Sequence, residues 1–417
     1  MRRYLVWSLY ACVLVLAPLV FTSSLSHTLL SQMGIAIIVC LSYNMLLGQG
    51  GMLSFGHAVY SGMGAFLAIH TLNRVSGGLP LPVSLIPLVG GMASLALALV
   101  LGWVTTRKSA TPFAMITLGL GELVWAMALM FPAFFGGEAG ISGNRVVGNP
   151  VFGISFGPQI ELYYLIAAYT LVCTALMYAF TGTPLGRMLN AVRDNPERVA
   201  FIGYNPQMVR YLAFVIAAFF AGISGGLAAL NFEIVTSEVV SGYRSGVYVL
   251  FTFLGGTSFF FGPIIGAILM VLALVLLSGL TQAWLLYLGL IFIVMVMVAP
   301  GGVASLVVMN LRLARRGLWF RLLPAYLALL ATTGLAMSGL AAWVEMVYHL
   351  QQGAALGPEL SFLSIKLNVN APQSWLVSGV VMLAGLLLFE FSRRKFARDW
   401  HRAEQLSGQE SSRRGAP

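Results

Sequence analysis

From residue 4 to residue 392 the chain is a succession of apolar runs separated by short polar gaps, most of them close to the roughly 20 residues a helix needs to cross a bilayer. The runs lie at about 4–21, 29–47, 52–72, 80–104, 112–131, 160–180, 210–231, 246–261, 263–278, 283–299, 322–344 and 374–392. Backbone in lipid must satisfy its own N–H and C=O groups, which a helix does internally. The expected fold class is therefore all-α, a polytopic transmembrane helical bundle of about ten spans followed by two C-terminal spans. Charged residues are 9% of the 417, against about 25% in a soluble domain. That deficit excludes a sizeable soluble domain, a disordered chain and a coiled coil. The 46 glycines suit close helix packing and interrupted helices in lipid.

The net charge of +10 points to nucleic acid or to membrane topology, and the positions of the charges decide between them. With a cytoplasmic N-terminus, the inner side receives Arg2, Arg3, Arg107, Lys108, Arg187, Arg193, Arg198, Arg210, Arg312, Arg315, Arg316, Arg321 and seven tail residues. The outer side receives Arg74, Arg145, Arg244 and Lys366, a 19 to 4 division. By the positive-inside rule both termini are expected in the cytoplasm, and nucleic acid is not an expected partner. Arg2 and Arg3 could also open a secretory signal, but the run after them is about 18 residues long with no A-x-A-like site behind it, which favours a first span.

Cys12, Cys40 and Cys173 each lie alone in an apolar run and read as small buried residues. The five histidines show no ligand spacing, so neither a metal nor a cofactor is expected. Residues 246–299 carry no charge, are too long for one helix, and are interrupted at Gly255-Gly256, Gly262-Pro263 and Gly279. Broken helices at membrane depth occur where protein or a water-filled cavity covers the freed backbone. Gly255 and Gly256 are thus candidates for a pathway wall, with close helix packing as the alternative.

Residues 181–206 form the longest inner loop between spans. Thr183-Pro184, Asn195-Pro196 and Asn205-Pro206 each set a capping residue before a proline, the signature of a helix start. Leu185, Met188, Leu189 and Val192 recur on one face of a first short helix. A second runs from Pro196 to Ile202 and stops at Gly203. Such a pair suits either an anchor on anionic lipid or a knob that docks into a partner protein.

The stretch G-R-M-L-N-A-V-R-D-N-P-E-R-V-A-F-I-G-Y-N-P with the helix that follows it resembles the coupling loop of permeases in the branched-chain amino acid ABC importer family, M-type (LivM-like) subunit. Other segments agree in order: N-M-L-L-G-Q-G-G-M-L-S-F-G-H-A-V-Y-S-G-M-G-A at 44–65, P-F-A-M-I-T-L-G-L-G-E-L at 112–123, F-G-G-E-A-G-I at 135–141, F-G-P-I-I-G-A at 261–267 and A-P-G-G-V at 299–303. The resemblance spans roughly residues 30–308. It implies that Gly186, Arg187, Ala191, Arg193, Ala200 and Gly203 sit in a region that couples to an ATP-hydrolysing subunit. It also implies separate ATP-binding cassette subunits, a companion permease chain in a hetero-oligomer, an extracytoplasmic substrate-binding protein and a place in a bacterial inner membrane. The expected cargo is a branched-chain or other apolar amino acid, with urea or short amides as the alternative within the family. No G-x-x-x-x-G-K-[ST] phosphate loop is present, and L-S-G-Q-E at 406–410 reads as chance in a polar tail.

The family pattern ends near residue 308. The expected organisation is a permease domain over 1–310, a basic linker and two-span extension over 311–392, and a charged, disordered cytoplasmic tail over 393–417. Glu122 is the acidic residue nearest the middle of a span, where a charge costs about 2.5–3.5 kcal/mol on insertion scales. With Thr117 and Gly119 it is a candidate for the substrate pathway, the alternative being a hydrogen bond to a neighbouring helix. Against a self-sufficient ion-coupled carrier stands the lack of an obvious intramembrane partner for Glu122. Against an enzyme stands the lack of a clustered nucleophile, metal or acid–base set.

Overall fold

A computed structural model describes residues 2–147, 155–281, 283–299, 301–315, 319–352, 359–362 and 365–414. The chain divides into two compact units, residues 1–274 with 292–305 and residues 275–291 with 306–417. The first holds α1 (Arg2–Val20), α2 (Ser24–Asn44), α3 (His57–Ser76), α4 (Ile86–Thr105), α5 (Ala110–Met130), α6 (Pro132–Phe135), α7 (Gln159–Gly182), α8 (Pro184–Asp194), α9 (Pro196–Phe201), α10 (Pro206–Phe232), α11 (Gly242–Gly255) and α12 (Gly262–Leu272). The second holds α13 (Ser278–Leu280), α16 (Trp319–Gln352) and α17 (Pro372–Arg414), while α14 (Trp284–Val298) and α15 (Gly302–Arg315) are shared between the two. Residues 275–291 thus cluster with the C-terminal helices.

Every one of the twelve apolar runs falls on a helix, and the fold is a helical, polytopic bundle. Among the described residues seven helices are long and apolar enough to cross a membrane, or eight if Trp284–Met297 and Gly302–Leu311 form one broken span. The lower number has physical causes. α11 has 14 residues and is about 21 Å long, short of the roughly 30 Å hydrocarbon core. α3 is long enough but carries His57, Ser61, His70, Asn73 and Arg74.

α2 and α10 form the centre of the first unit: 78% of the apolar window of each is buried, against 44% for α7 and 39% for α4. α10 packs on α3 and α4, and α2 on α7, α10 and α12. Small residues allow the close approach, as expected where lipid supplies no hydrophobic drive between helices. A Cβ on Gly64 of α3 would lie 2.6 Å from Gly222 Cα of α10, and one on Gly90 of α4 would lie 2.7 Å from the Gly64 carbonyl oxygen. Three helices therefore meet backbone to backbone. Ser94 completes the contact by donating to the Tyr60 carbonyl at 2.6 Å.

α2 does not end in an ordinary cap. It runs into a π-helical turn, Met45–Gln49, and then unwinds through residues 51–54. The freed backbone is covered by protein, as its depth requires: Tyr43 accepts from Ser54 N at 3.2 Å, Thr117 from Phe55 N at 3.1 Å and Ser245 from Ala58 N at 3.0 Å. His57 is fully buried, with Nε2 2.9 Å from Ser42 Oγ.

At the opposite end of α5, F-G-G-E-A-G-I makes a tight turn in which Gly136 and Gly140 take φ of +75° and +72°. It leads into strand β1 (Ile141–Ser142), which pairs antiparallel with β2 (Ile234–Val235) after α10. Arg145 ties the loop down, donating to the carbonyls of Phe156 at 2.8 Å and Gly157 at 3.1 Å and to Gln159 Oε1 at 3.1 Å.

In the second unit α16 and α17 pack as a pair through Gly385 against Ala336 and Gly339 against Met382. They are joined by a hairpin of β3 (Glu359–Phe362) and β4 (Ile365–Asn368). Because α16 continues to Gln352, Glu345 lies inside a candidate span, just past the end of the apolar run at 322–344; the hydroxyls of Thr281 and Tyr287 donate to it. α17 extends to Arg414, so residues 393–414 continue a helix where disorder was expected. Glu390 bonded to Arg393 and Arg394 at 2.8 Å supports the passage out of the apolar segment. Cys40 and Cys173 are buried, but Cys12 is exposed because α1 covers α7 with only part of its surface.

Candidate functional site

Two places in the first unit hold the residues singled out above. The first is the α8–α9 pair. All three cap signals form: Thr183 Oγ1 accepts from Gly186 N at 3.2 Å, Asn195 Oδ1 from Arg198 N at 3.0 Å and Asn205 Oδ1 from Gln207 N at 2.9 Å. α9 closes in a Schellman motif, with Gly203 at φ +91°, Gly203 N donating to Ala200 O at 3.0 Å and Tyr204 N to Val199 O at 3.2 Å. Leu189, Val192 and Val199 are buried, so the apolar faces of the pair turn toward the bundle. At the tip the pattern reverses. Phe201 is 90% exposed, Ile202 67% and Tyr204 52%.

The six coupling candidates divide on this frame. Arg187, Ala200 and Gly203 are exposed, Ala191 is half-buried, and Gly186 is buried against the end of α7. Arg193 is exposed too, but its side chain is engaged: it donates to the carbonyl of Gly48 in the π-helical turn while its Nε holds Asp194 at 3.0 Å. Leu189 lies beside Gly50, 3.2 Å from where a Cβ there would stand. The α8–α9 pair is therefore fastened to the end of α2.

The second place surrounds α11. After β2 the chain turns back along α3, with Val239 and Val240 against Gly62, and α11 begins beside the middle of α5: a Cβ on Gly242 would lie 2.5 Å from Glu122 Oε1. α11 ends at Gly255-Gly256, in backbone contact with Gly266, Gly301 and Gly302. It is a half-helix that starts at the depth of Glu122. Discontinuous helices of this kind place backbone dipole ends at mid-depth in transport proteins.

The five pathway candidates are not brought to one surface. Glu122 is exposed on α5 and shares a shallow pocket with Glu138, Glu238 and Tyr243. Thr117 is buried on another face of α5, and Gly119 has open space beside it. Gly255 and Gly256 are filled in by backbone at the far end of α11 from Glu122.

Residues 26–299 match the family described as the branched-chain amino acid transport system permease component. The chain belongs to this family. Two similar proteins are the high-affinity branched-chain amino acid transport system permease protein LivM of Escherichia coli strain K12, 28% identical over 301 residues, and its namesake from Salmonella typhimurium, 27% identical over 305 residues. Each alignment covers 67% of this chain and 70% of the relative. No solved structure matches the chain. The protein is thus a multi-pass membrane permease of a transport family rather than a member of an enzyme family. The matched region takes in both places described above and stops before the α16–α17 pair.

Sequence reasoning missed Arg145, Gln32, Arg244 and Tyr248 as residues of interest. For Arg244 a signal was available, since a basic side chain in the first turn of a helix runs against the macrodipole.

Proposed function

We propose that this chain is the transmembrane permease subunit of a bacterial ABC importer that moves branched-chain or other apolar amino acids into the cytoplasm, powered by separate ATPase subunits. The observation that carries this reading is the α8–α9 pair: rigidly capped, fastened to α2 through Arg193, and presenting an exposed apolar tip of Phe201, Ile202 and Tyr204. An ATPase subunit that changes shape on binding ATP would pull on this tip. Because Arg193 and Leu189 meet the π-helical turn, a displacement of α8 would reach α2 and the helices packed on it. Such a turn, with its looser bonding, is a natural point of yielding. ATP shifts the bundle between outward and inward openings only through a partner with different affinity for the two states. A companion permease and an extracytoplasmic binding protein complete the assembly, with both termini of this chain in the cytoplasm and the bundle in the inner membrane.

Co-purification tests the docking. Phe201→Glu, which puts a charge on the tip without touching a cap, is expected to lose the ATPase subunits while the permease still inserts. Retention of the ATPase together with unchanged uptake would favour the reading of α8–α9 as a lipid anchor.

A further inference from the structure

The first unit contains a cavity of about 120 Å³ between α2, α3, α10, α11 and α12, with Phe232, Val235, Tyr248 and Met270 among its lining residues. Most of its wall is aliphatic, including Ile35, Ala36, Ala65, Val235 and Val239. Set into that wall, besides Ser61, which donates to the Ala58 carbonyl at 3.2 Å, are four polar side chains, Gln32, Ser224, Arg244 and Tyr248. None of the four makes a side-chain hydrogen bond or ion pair with another described residue, although Ser224 is only 1% exposed. Ser224 is buried and Gln32, Arg244 and Tyr248 are half-buried; polar groups withdrawn from water without partners are costly, and their convergence on one cavity marks a place for a polar ligand.

The chemistry of the wall says which ligand. Arg244 offers a planar fork of donors suited to a carboxylate. It stands in the first turn of α11, after the Ser241 cap, where the helix dipole adds positive potential. Gln32 and Ser224 can accept from an ammonium. The cavity as a whole is of the right order for a small ligand with a branched side chain, since a dry cavity of about 150 Å³ admits benzene. We infer that this cavity is the station at which the permease holds its cargo in passage, an α-amino acid with a branched aliphatic side chain, with its carboxylate on Arg244 and its side chain among Ile35, Ala36, Val235 and Val239. The inference rests on the importer reading and adds the binding residues to it. The cavity is lined by Ile234 and Val235 of β2 and by Arg244 and Tyr248 of the half-helix α11.

The test is uptake of leucine by the whole assembly, with ATPase subunits, companion permease and binding protein, in proteoliposomes. Arg244→Lys keeps the charge and loses the fork, and is expected to raise the half-saturating concentration about tenfold. Ala228→Phe fills the cavity from α10 and is expected to lower leucine uptake about tenfold or more, with intact assembly read by co-purification of the ATPase. Wild-type saturation for both variants would overturn the cavity as the station while leaving the importer reading in place. Absence of ATP-driven uptake of any amino acid by the wild-type assembly would instead overturn the importer reading, and the cavity assignment with it.

Discussion

Arg193, though exposed, is bonded to the Gly48 carbonyl of its own chain, and its replacement should therefore separate two kinds of coupling defect. For Arg193→Ala, leucine uptake by the assembled transporter is expected to fall about tenfold, the loss of about 1.4 kcal/mol of differential stabilisation, while the ATPase subunits still co-purify. Loss of co-purification would place Arg193 in the docking surface instead. Glu122 faces the Gly242 end of α11 and shares its pocket with two other carboxylates, so Glu122→Gln is expected to weaken uptake more than assembly; full uptake at normal expression would leave it a packing role alone. Which of these roles could be read from the residues beforehand depended on range. Thr183, Asn195, Asn205 and Gly203 act on bonds two to five positions away, and their spacing beside Pro184, Pro196 and Pro206 declares it. The partner of Arg193 lies 145 positions away in the chain, and nothing in the local pattern points to it.

At the scale of elements, α3, α4 and α10 meet through Gly64, Gly90 and Gly222 with no room for a methyl group. Gly222→Val would drive side-chain atoms into the Gly90 carbonyl and Ser94. Overpacking of this kind costs about 1–3 kcal/mol or more, and the variant is expected to show a lowered unfolding midpoint in detergent. Gly119→Ala, at a glycine with open space beside it, should unfold at the wild-type temperature. Equal midpoints for the two variants would contradict the packing described. Apolar runs and helices coincide because hydrophobicity over about 20 residues is a strong local signal. The half-length of α11, the π-helical turn after α2 and the pairing of Ile141 with Val235 are tertiary facts. Gly255-Gly256 illustrates the limit: the same doublet suits a pathway wall or a tight contact, and only the neighbouring Gly266 and Gly301 show what surrounds it.

For the whole molecule, the 19 to 4 distribution of Lys and Arg and the helix order together predict sidedness. Single cysteines introduced at 138 and 144 in a background lacking Cys12, Cys40 and Cys173 should react with an impermeant reagent from outside, and those at 187 and 201 only after the membrane is opened. The reverse pattern would invert the proposed orientation. On the proposed reading the chain is a passive pathway, set in motion by partners. A chain with no differential affinity for ATP in its two states cannot be shifted by ATP on its own. The most direct measurement is accumulation of labelled leucine in proteoliposomes, first with this chain alone and then with ATPase subunits, a companion permease and a binding protein added. No concentrative uptake is expected of the chain alone, whether ATP or a sodium or proton gradient is supplied, and ATP-dependent accumulation is expected of the full assembly. Concentrative uptake by this chain alone, driven by sodium or protons, would contradict the proposed reading.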